Sequence, residues 1–177
     1  MRDYITNGQI SLRKYRSEDE YALFEGINES IKELTHWGFY HADFTLADAR
    51  NDVASRIENW TGGNSYTFII EACPVPLFLG NCTVSEIEPE KNLAALGWWV
   101  RTSQAGKGIA TSAGCLAAQA AFEDLNLVSL AIYTNADNQA SRRVAEKIGA
   151  ALVRIKHEAD GVLCAVYELK ACDLRLE

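Results

Sequence analysis

The residues best placed to do chemistry lie between Gln104 and Thr111 (QAGKGIAT). A strand ending at Val100, a glycine-rich turn and a helix opening near Gly108 would aim free backbone N–H groups outward. The helix dipole would add partial positive charge at the same point, which makes an anion site. Gly106 and Gly108 let the main chain approach a bulky phosphate with no side chain in the way, and Lys107 could add a mobile cation. The alternative is a plain strand-to-helix turn, which rarely needs two glycines flanking a lysine. A P-loop does not fit, because Arg101 stands where the first glycine of GxxxxGK[ST] belongs and Gly108 follows Lys107. A dinucleotide fingerprint would put its last small residue at Thr111. It would also want an acidic residue ending a second parallel strand, whereas Glu123 and Asp124 fall in the helix.

The elements that must hold this loop can be read from periodicity and capping. Ile10–Tyr15 alternates as a strand. Ser17 with Glu20 has capping-box spacing for a helix towards Thr35, and Thr45 with Asp48 for another reaching Trp60, stopped by Gly62-Gly63-Asn64. Strands follow at Ser65–Ala72, Phe78–Glu86 and Leu93–Val100, with Pro74, Pro76 and Pro89 at the turns. A helix over 107–125, rich in small residues for close packing on a sheet, leads to a strand at Ser129–Thr134. A helix at Asn138–Ile148, a strand at Ala151–His157, a tight turn at Ala159-Asp160-Gly161 and a strand at Val162–Leu169 complete the order β-α-α-β-β-β-α-β-α-β-β. An antiparallel meander feeding a βαβ unit makes a mixed α/β sheet with helices on both faces.

The 177 residues carry a net charge of −7, which disfavours nucleic acid unless a basic patch offsets it. The densest basic cluster, Arg142, Arg143 and Lys147, reads as a solvated helix face. No linker or repeat divides residues 1–177, so one domain is expected. The start MRDYITNGQI has no apolar stretch or cleavage signal, and no window approaches membrane-spanning length. A cytoplasmic protein that binds neither membrane nor nucleic acid is expected. The cysteines at 73, 82, 115, 164 and 172 are scattered and form no CxxC pair. They read as small buried hydrophobes rather than zinc ligands or disulfides, and no metal is expected.

The loop Gly106-Lys107-Gly108-Ile109-Ala110-Thr111 is preceded by Leu96-Gly97-Trp98-Trp99-Val100 and followed by Asn135-Ala136-Asp137-Asn138-Gln139-Ala140-Ser141. This combination, over nearly the whole chain, resembles the GNAT acetyltransferases, and among them the RimJ/RimL branch that acetylates ribosomal-protein N-termini. The resemblance implies a mostly antiparallel sheet of about seven strands, acetyl-CoA as donor and an amine-bearing acceptor, and it is compatible with a homodimer. The family pattern [RQ]xxGx[GA] is met at Gly108 and Ala110, but its first position falls on Ala105, with Gln104 one place earlier. The cradle implied by the resemblance therefore rests on the main chain of Gln104, Ala105, Gly106, Lys107, Gly108, Ile109, Ala110 and Thr111. The backbone of Trp98, Trp99 and Val100 would line the pantetheine arm, and Asn138 would either bond the cofactor or serve as a helix N-cap.

Acetyl transfer to an amine needs a neutral amine, a polarised thioester and a proton for the leaving thiolate. Neutralising a free α-amine of pKa about 8 at pH 7 costs roughly 1 kcal/mol, against roughly 4.6 for a lysine amine. The resemblance places a thiolate acid at Ser141, whose hydroxyl could equally satisfy the start of its helix. It places the base near the last hairpin, at Glu158 or His157, of which strand alternation lets only one face the cleft. Glu86, through a bridging water, is a third candidate. The aromatic segment from Trp37 to Tyr40 would wall the acceptor site, with His36 or His41 as contacts; otherwise it covers core. Two further readings stay open: a non-catalytic acyl-CoA-binding module, and a nucleotide-binding protein of unrelated function.

Overall fold

The computed structural model describes residues 1–158 and 161–175. The strands are β1 (Tyr4–Thr6), β2 (Ile10–Lys14), β3 (Tyr66–Ala72), β4 (Phe78–Glu88), β5 (Leu93–Val100), β6 (Ser129–Asn135), β7 (Ala151–His157) and β8 (Leu163–Lys170). They form one sheet in the order β1-β2-β3-β4-β5-β6-β8-β7. Every neighbouring pair is antiparallel except β5 with β6. The eighth strand, one more than expected, is β1. With three residues, none of them buried, it carries no alternation to read and exists through its pairing with β2. The expected turn at 159–161 lies largely outside the described residues.

Helices α1 (Glu20–Glu29), α2 (Ile31–His36) and α3 (Leu46–Gly62) cover one face, and α4 (Ile109–Leu125) and α5 (Gln139–Lys147) the other. Each face has its own core. Leu23, Ile27, Val53, Ile69, Phe78 and Trp99 pack under α1 and α3. Leu12, Phe68, Val84, Leu96, Leu130 and Tyr167 pack under α4 and α5. Helix α4 meets the sheet through Ala113, Gly114, Ala117, Ala118 and Ala121, so its backbone lies close to β5. No helix among the described residues is long and apolar enough to cross a membrane.

Thr45 and Asp48 form the expected capping box, and α3 ends with Gly63 in the left-handed region. The first helix differs from expectation in two ways. Its entry is fastened not by Ser17 and Glu20 but by the Asp19 carboxylate, which accepts from the Arg16 main-chain N–H at 2.6 Å and from both terminal nitrogens of Arg13. Glu20 instead pairs with Arg50. The expected single helix also breaks at Ser30, which is buried and accepts the Thr102 N–H on its hydroxyl at 3.0 Å. The break thus anchors the strand-to-loop segment that the glycine loop depends on. The cysteines divide differently from the reading above. Cys82, Cys115 and Cys164 are buried, with burial pushing the Cys82 thiol up to about 12, whereas Cys73 is half-buried and Cys172 exposed.

Gly80 of β4 lies opposite Val100 with φ +146°, and a Cβ there would sit 2.1 Å from the Trp99 carbonyl oxygen. Backbone cannot yield as a side-chain tip can. Gly80→Ala is expected to cost about 3 kcal/mol of stability, read as a lower denaturant midpoint. A midpoint equal to that of the parent protein would refute the clash.

Candidate active site

Strands β5 and β6 run parallel over only three pairs, Leu93–Ala95 with Ser129–Ala131, and then part. Beyond that point β6 keeps β8 as far as Asn135–Cys164, and β5 keeps β4 as far as Val100–Gly80. From Leu96 to Val100 one edge of β5 therefore has no strand beside it among the described residues. The N–H and C=O groups of Leu96, Trp98 and Val100, turned away from β4, face a cleft of about 960 Å³ lined by Leu96–Val100, Ile132–Asn135, the glycine loop and α5. Main-chain edge groups in such a place need partners, and an extended ligand that carries amides supplies them.

At one end of the cleft, Gly106 (φ +77°) and Gly108 (φ +81°) adopt the left-handed region that glycine enters without strain. A Cβ at either position would meet no heavy atom within 4 Å, so the space above the loop is open to a ligand. The N–H groups of Ile109, Ala110 and Thr111 precede the first helical bond, Ser112 N–H to the Gly108 carbonyl at 3.0 Å. They are free to meet phosphate oxygens. Gln104, Ala105, Gly106, Gly108, Ile109, Ala110 and Thr111 all line the cleft. Lys107 does not: its Nζ donates to the Gln104 side-chain oxygen at 2.9 Å, so it braces the loop from outside. The segment leading in is docked on α1 and α2. Glu29 accepts from the Ser103 N–H at 3.0 Å and from Arg101 Nε at 2.8 Å, and Glu33 accepts from the Thr102 hydroxyl. Hydrogen bonds from Ser103, and then the Arg101 guanidinium, hold the Glu29 carboxyl below its ordinary value.

At the other end, Asn138 caps α5 as expected, accepting the Ser141 N–H at 3.0 Å, and it also lines the cleft. The Ser141 side chain lines the cleft too, and its hydroxyl makes no bond to the helix start. Glu158 lines the cleft, 2.9 Å from Lys156, whereas His157 does not. Glu86 is turned to solvent by an irregularity in the β4–β5 ladder, with φ +49°, and it lines no part of the cleft. Cys164 lines the cleft as a thiol, its pKa raised by burial and then by the charge of Glu158.

Of the aromatic segment, His36, Trp37, Gly38 and Phe39 border the cleft; His41 sits outside, near Asp48. Tyr40 faces a neighbouring chamber, where its hydroxyl donates to Asp52 at 3.0 Å and accepts from Arg56 at 2.8 Å. Burial pushes its phenol up, so it stays protonated. Sequence reasoning missed Arg143 and Lys147, which line the cleft and are not merely a solvated face. Their i, i+4 spacing beside Ser141 was the available signal. Arg142, by contrast, turns back onto Tyr167 and the Ala136 carbonyl.

The profile of the acetyltransferase (GNAT) domain matches residues 9–151. The chain belongs to the GNAT acetyltransferase family. It is an acetyl-CoA-dependent N-acetyltransferase, and the cleft has the features such a donor needs: an unpaired amide edge, a glycine cradle and cations along α5. The chain is 28% identical over 145 residues to a Bacillus subtilis (strain 168) protein named "Putative ribosomal N-acetyltransferase YdaF", covering 81% of this chain and 78% of that one. RimL, a ribosomal L7/L12 α-N-protein acetyltransferase solved with coenzyme A, superposes with TM-score 0.87 at 19% identity, over 94% of this chain and 97% of RimL. The microcin C7 self-immunity acetyltransferase MccE, solved with acetyl-CoA and AMP, gives 0.85 at 19%, over 93% of each chain. At these identities the two structures share the fold.

Two measurements probe the loop. Gly108→Glu combines a strained φ with bulk and like charge against a pyrophosphate, and should weaken acetyl-CoA binding about 100-fold by calorimetry while the protein stays folded; retained affinity would misplace the phosphate site. Glu29→Gln tests the docking of the loop. Because the folded carboxyl is depressed, its contribution is present above the unfolded value of about 4.3 and fades as pH falls through the folded one. The variant should melt lower than the parent at pH 7, and the gap should be smaller at pH 3. An equal gap at both values would rule out the charged anchor.

Proposed function

We propose that the chain, as one catalytic domain, transfers the acetyl group of acetyl-CoA by direct attack of a primary amine, first of all a protein N-terminal α-amine. A small-molecule amine is the second choice. The observation that carries this reading is the placement of Ser141 and Glu158 on one cleft with the open edge of β5 and the glycine loop. When bound, acetyl-CoA supplies the activated acetyl group. Main-chain groups of Trp98 and Val100, on the edge of β5 turned away from β4, would orient its carbonyl and pantetheine arm, with Asn138 beside them, while the main chain of residues 104–111 and the cations of Arg143 and Lys147 would hold its phosphates.

The Ser141 hydroxyl, free of helix bonds, is the donor of a proton to the departing sulfur. Glu158 is the group that receives a proton from the amine, directly or through water. Glu86 is too far removed by its outward turn to share that task in this conformation. A covalent relay through Cys164 is disfavoured because burial and the Glu158 charge keep its thiol protonated. An α-amine suits such modest acid–base equipment, since about a tenth of it is already neutral at pH 7, against less than a thousandth of a lysine amine. The similarity to YdaF and to RimL supports a ribosomal-protein acceptor, and with it a cytoplasmic setting.

The reading is tested by following coenzyme A release with peptides bearing free N-termini, lysine side chains and small amines. Peptide α-amines should give the highest kcat/KM. Ser141→Ala should lower kcat about 100-fold with little change in KM for acetyl-CoA. Binding of acetyl-CoA without turnover on any acceptor would instead indicate an acyl-CoA-binding module.

A further inference from the structure

Strand β7 ends at His157, so Glu158 lies just past the ladder, where cross-strand pairing no longer fixes a side chain. Its main chain is held: the N–H donates to the Val162 carbonyl at 2.9 Å, and the carbonyl accepts from the Gly161 N–H at 3.0 Å. The carboxylate, however, stands at the end of a flexible stem that the backbone does not aim. A general base has to meet the proton it takes at about 2.6–3.2 Å, directly or through one water, so a freely swinging carboxylate would serve poorly.

The adjacent strands β6, β8 and β7 together supply the aim. Lys156, two residues earlier on the same face of β7, puts its Nζ 2.9 Å from Glu158 Oε1. Cys164 of β8 is the cross-strand partner of Lys156, and its thiol hydrogen-bonds the same carboxylate. Tyr133 of β6 holds the lysine in turn, with its ring centroid 5.6 Å from Nζ. Tyr133, Cys164 and Glu158 line the acetyl-transfer cleft, whereas Lys156 does not. The ammonium is thus placed to hold the carboxylate rather than to meet cofactor or acceptor. A carboxylate has about four lone-pair directions, so these two bonds leave it able to accept from an amine or a water. More than a third of each side chain of the Lys156–Glu158 pair is exposed. Ion pairs that open to solvent contribute little to stability, so holding the fold together does not account for this one.

We propose that Lys156 is a positioning residue for acetyl transfer, fixing the Glu158 carboxylate against β8 so that its remaining lone pairs stay available in the cleft for the acceptor's proton. The inference rests on the acetyl-transfer reading above, in which Glu158 receives that proton, and adds the residue that places it. In the step itself the amine nitrogen bonds the acetyl carbon and the carbon–sulfur bond breaks. The nitrogen's proton passes to Glu158, and the departing sulfur takes one from Ser141. Lys156 neither gives nor takes a proton, and its hydrogen bond to Glu158 holds its ammonium charged.

The experiment measures kcat and KM with acetyl-CoA and a peptide bearing a free N-terminus. It compares the parent, Lys156→Met, Lys156→Arg, Glu158→Gln and the double variant Lys156→Met with Glu158→Gln. Lys156→Met keeps an apolar stem over Tyr133 and removes the charge. Its kcat should fall about tenfold, a part of the roughly 10²–10⁴ that a placed base contributes, with KM for acetyl-CoA unchanged. Lys156→Arg still carries a cation that can hold a carboxylate and stack on a ring, and should restore most of the rate. In the Glu158→Gln background the same methionine change should cost little more, since the group it aims is already gone. A parent-like kcat in Lys156→Met, an arginine variant as slow as the methionine one, or the full tenfold loss repeated in the double variant would each overturn the positioning role and leave the base in place. If Glu158→Gln itself keeps the parent's kcat, the base assignment fails and the proposal falls with it.

Discussion

The structure turns on the separation of β5 from β6. Two parallel strands that pair for three residues and then diverge leave a stretch of main chain with an open edge inside the protein. Such an edge is normally capped by another strand or by solvent, because unpaired peptide groups are costly. Here the rest of the molecule keeps it open. Strand β4 fixes the other edge of β5 as far as Val100, where Gly80 alone permits the close approach. Strand β8 draws β6 away over its whole length. Helix α4, faced with alanine and glycine, comes near enough to the sheet for its N-terminus to point at the mouth of the gap.

The loop that joins β5 to α4 then has a fixed start and a fixed end. It leaves the strand through Arg101–Ser103, held by Glu29, Ser30 and Glu33 of the opposite helical layer, and enters α4 through two left-handed glycines. The phosphate cradle is therefore held from both sides of the sheet. The break between α1 and α2 is part of that hold: an unbroken helix would have buried the Ser30 hydroxyl in its own wall instead of offering it to the Thr102 N–H.

What the sequence reveals of this arrangement follows from how local each signal is. The glycines at 106 and 108, the Thr45–Asp48 cap and the alternation of the central strands are local, and they could be read directly. Asn138 and Ser141 stood out through the resemblance to the GNAT family. Strand β1 has too few residues for a period and depends on a partner. The Asp19 cap depends on Arg13, which no spacing rule connects to it, and the outward turn of Glu86 is a property of the ladder irregularity. Lys107 and Arg143 show the same limit from opposite directions. The lysine inside the motif is tied away from the cleft by Gln104, while the arginine set aside as surface lines it.

The two tryptophans carry the argument furthest. Adjacent residues on a strand face opposite sides, so Trp98 packs beside Gly114 under α4, while Trp99 enters the layer of α1 and α3. A pair that reads in sequence as one element of a cofactor motif is thereby shared between two compartments. The main chain of Trp98 lies on the open edge of β5, and the second indole packs against Tyr40 and Phe78. Because the two indoles lie on opposite faces of one strand, a change around Trp99 in the α1–α3 layer need not disturb the glycine loop.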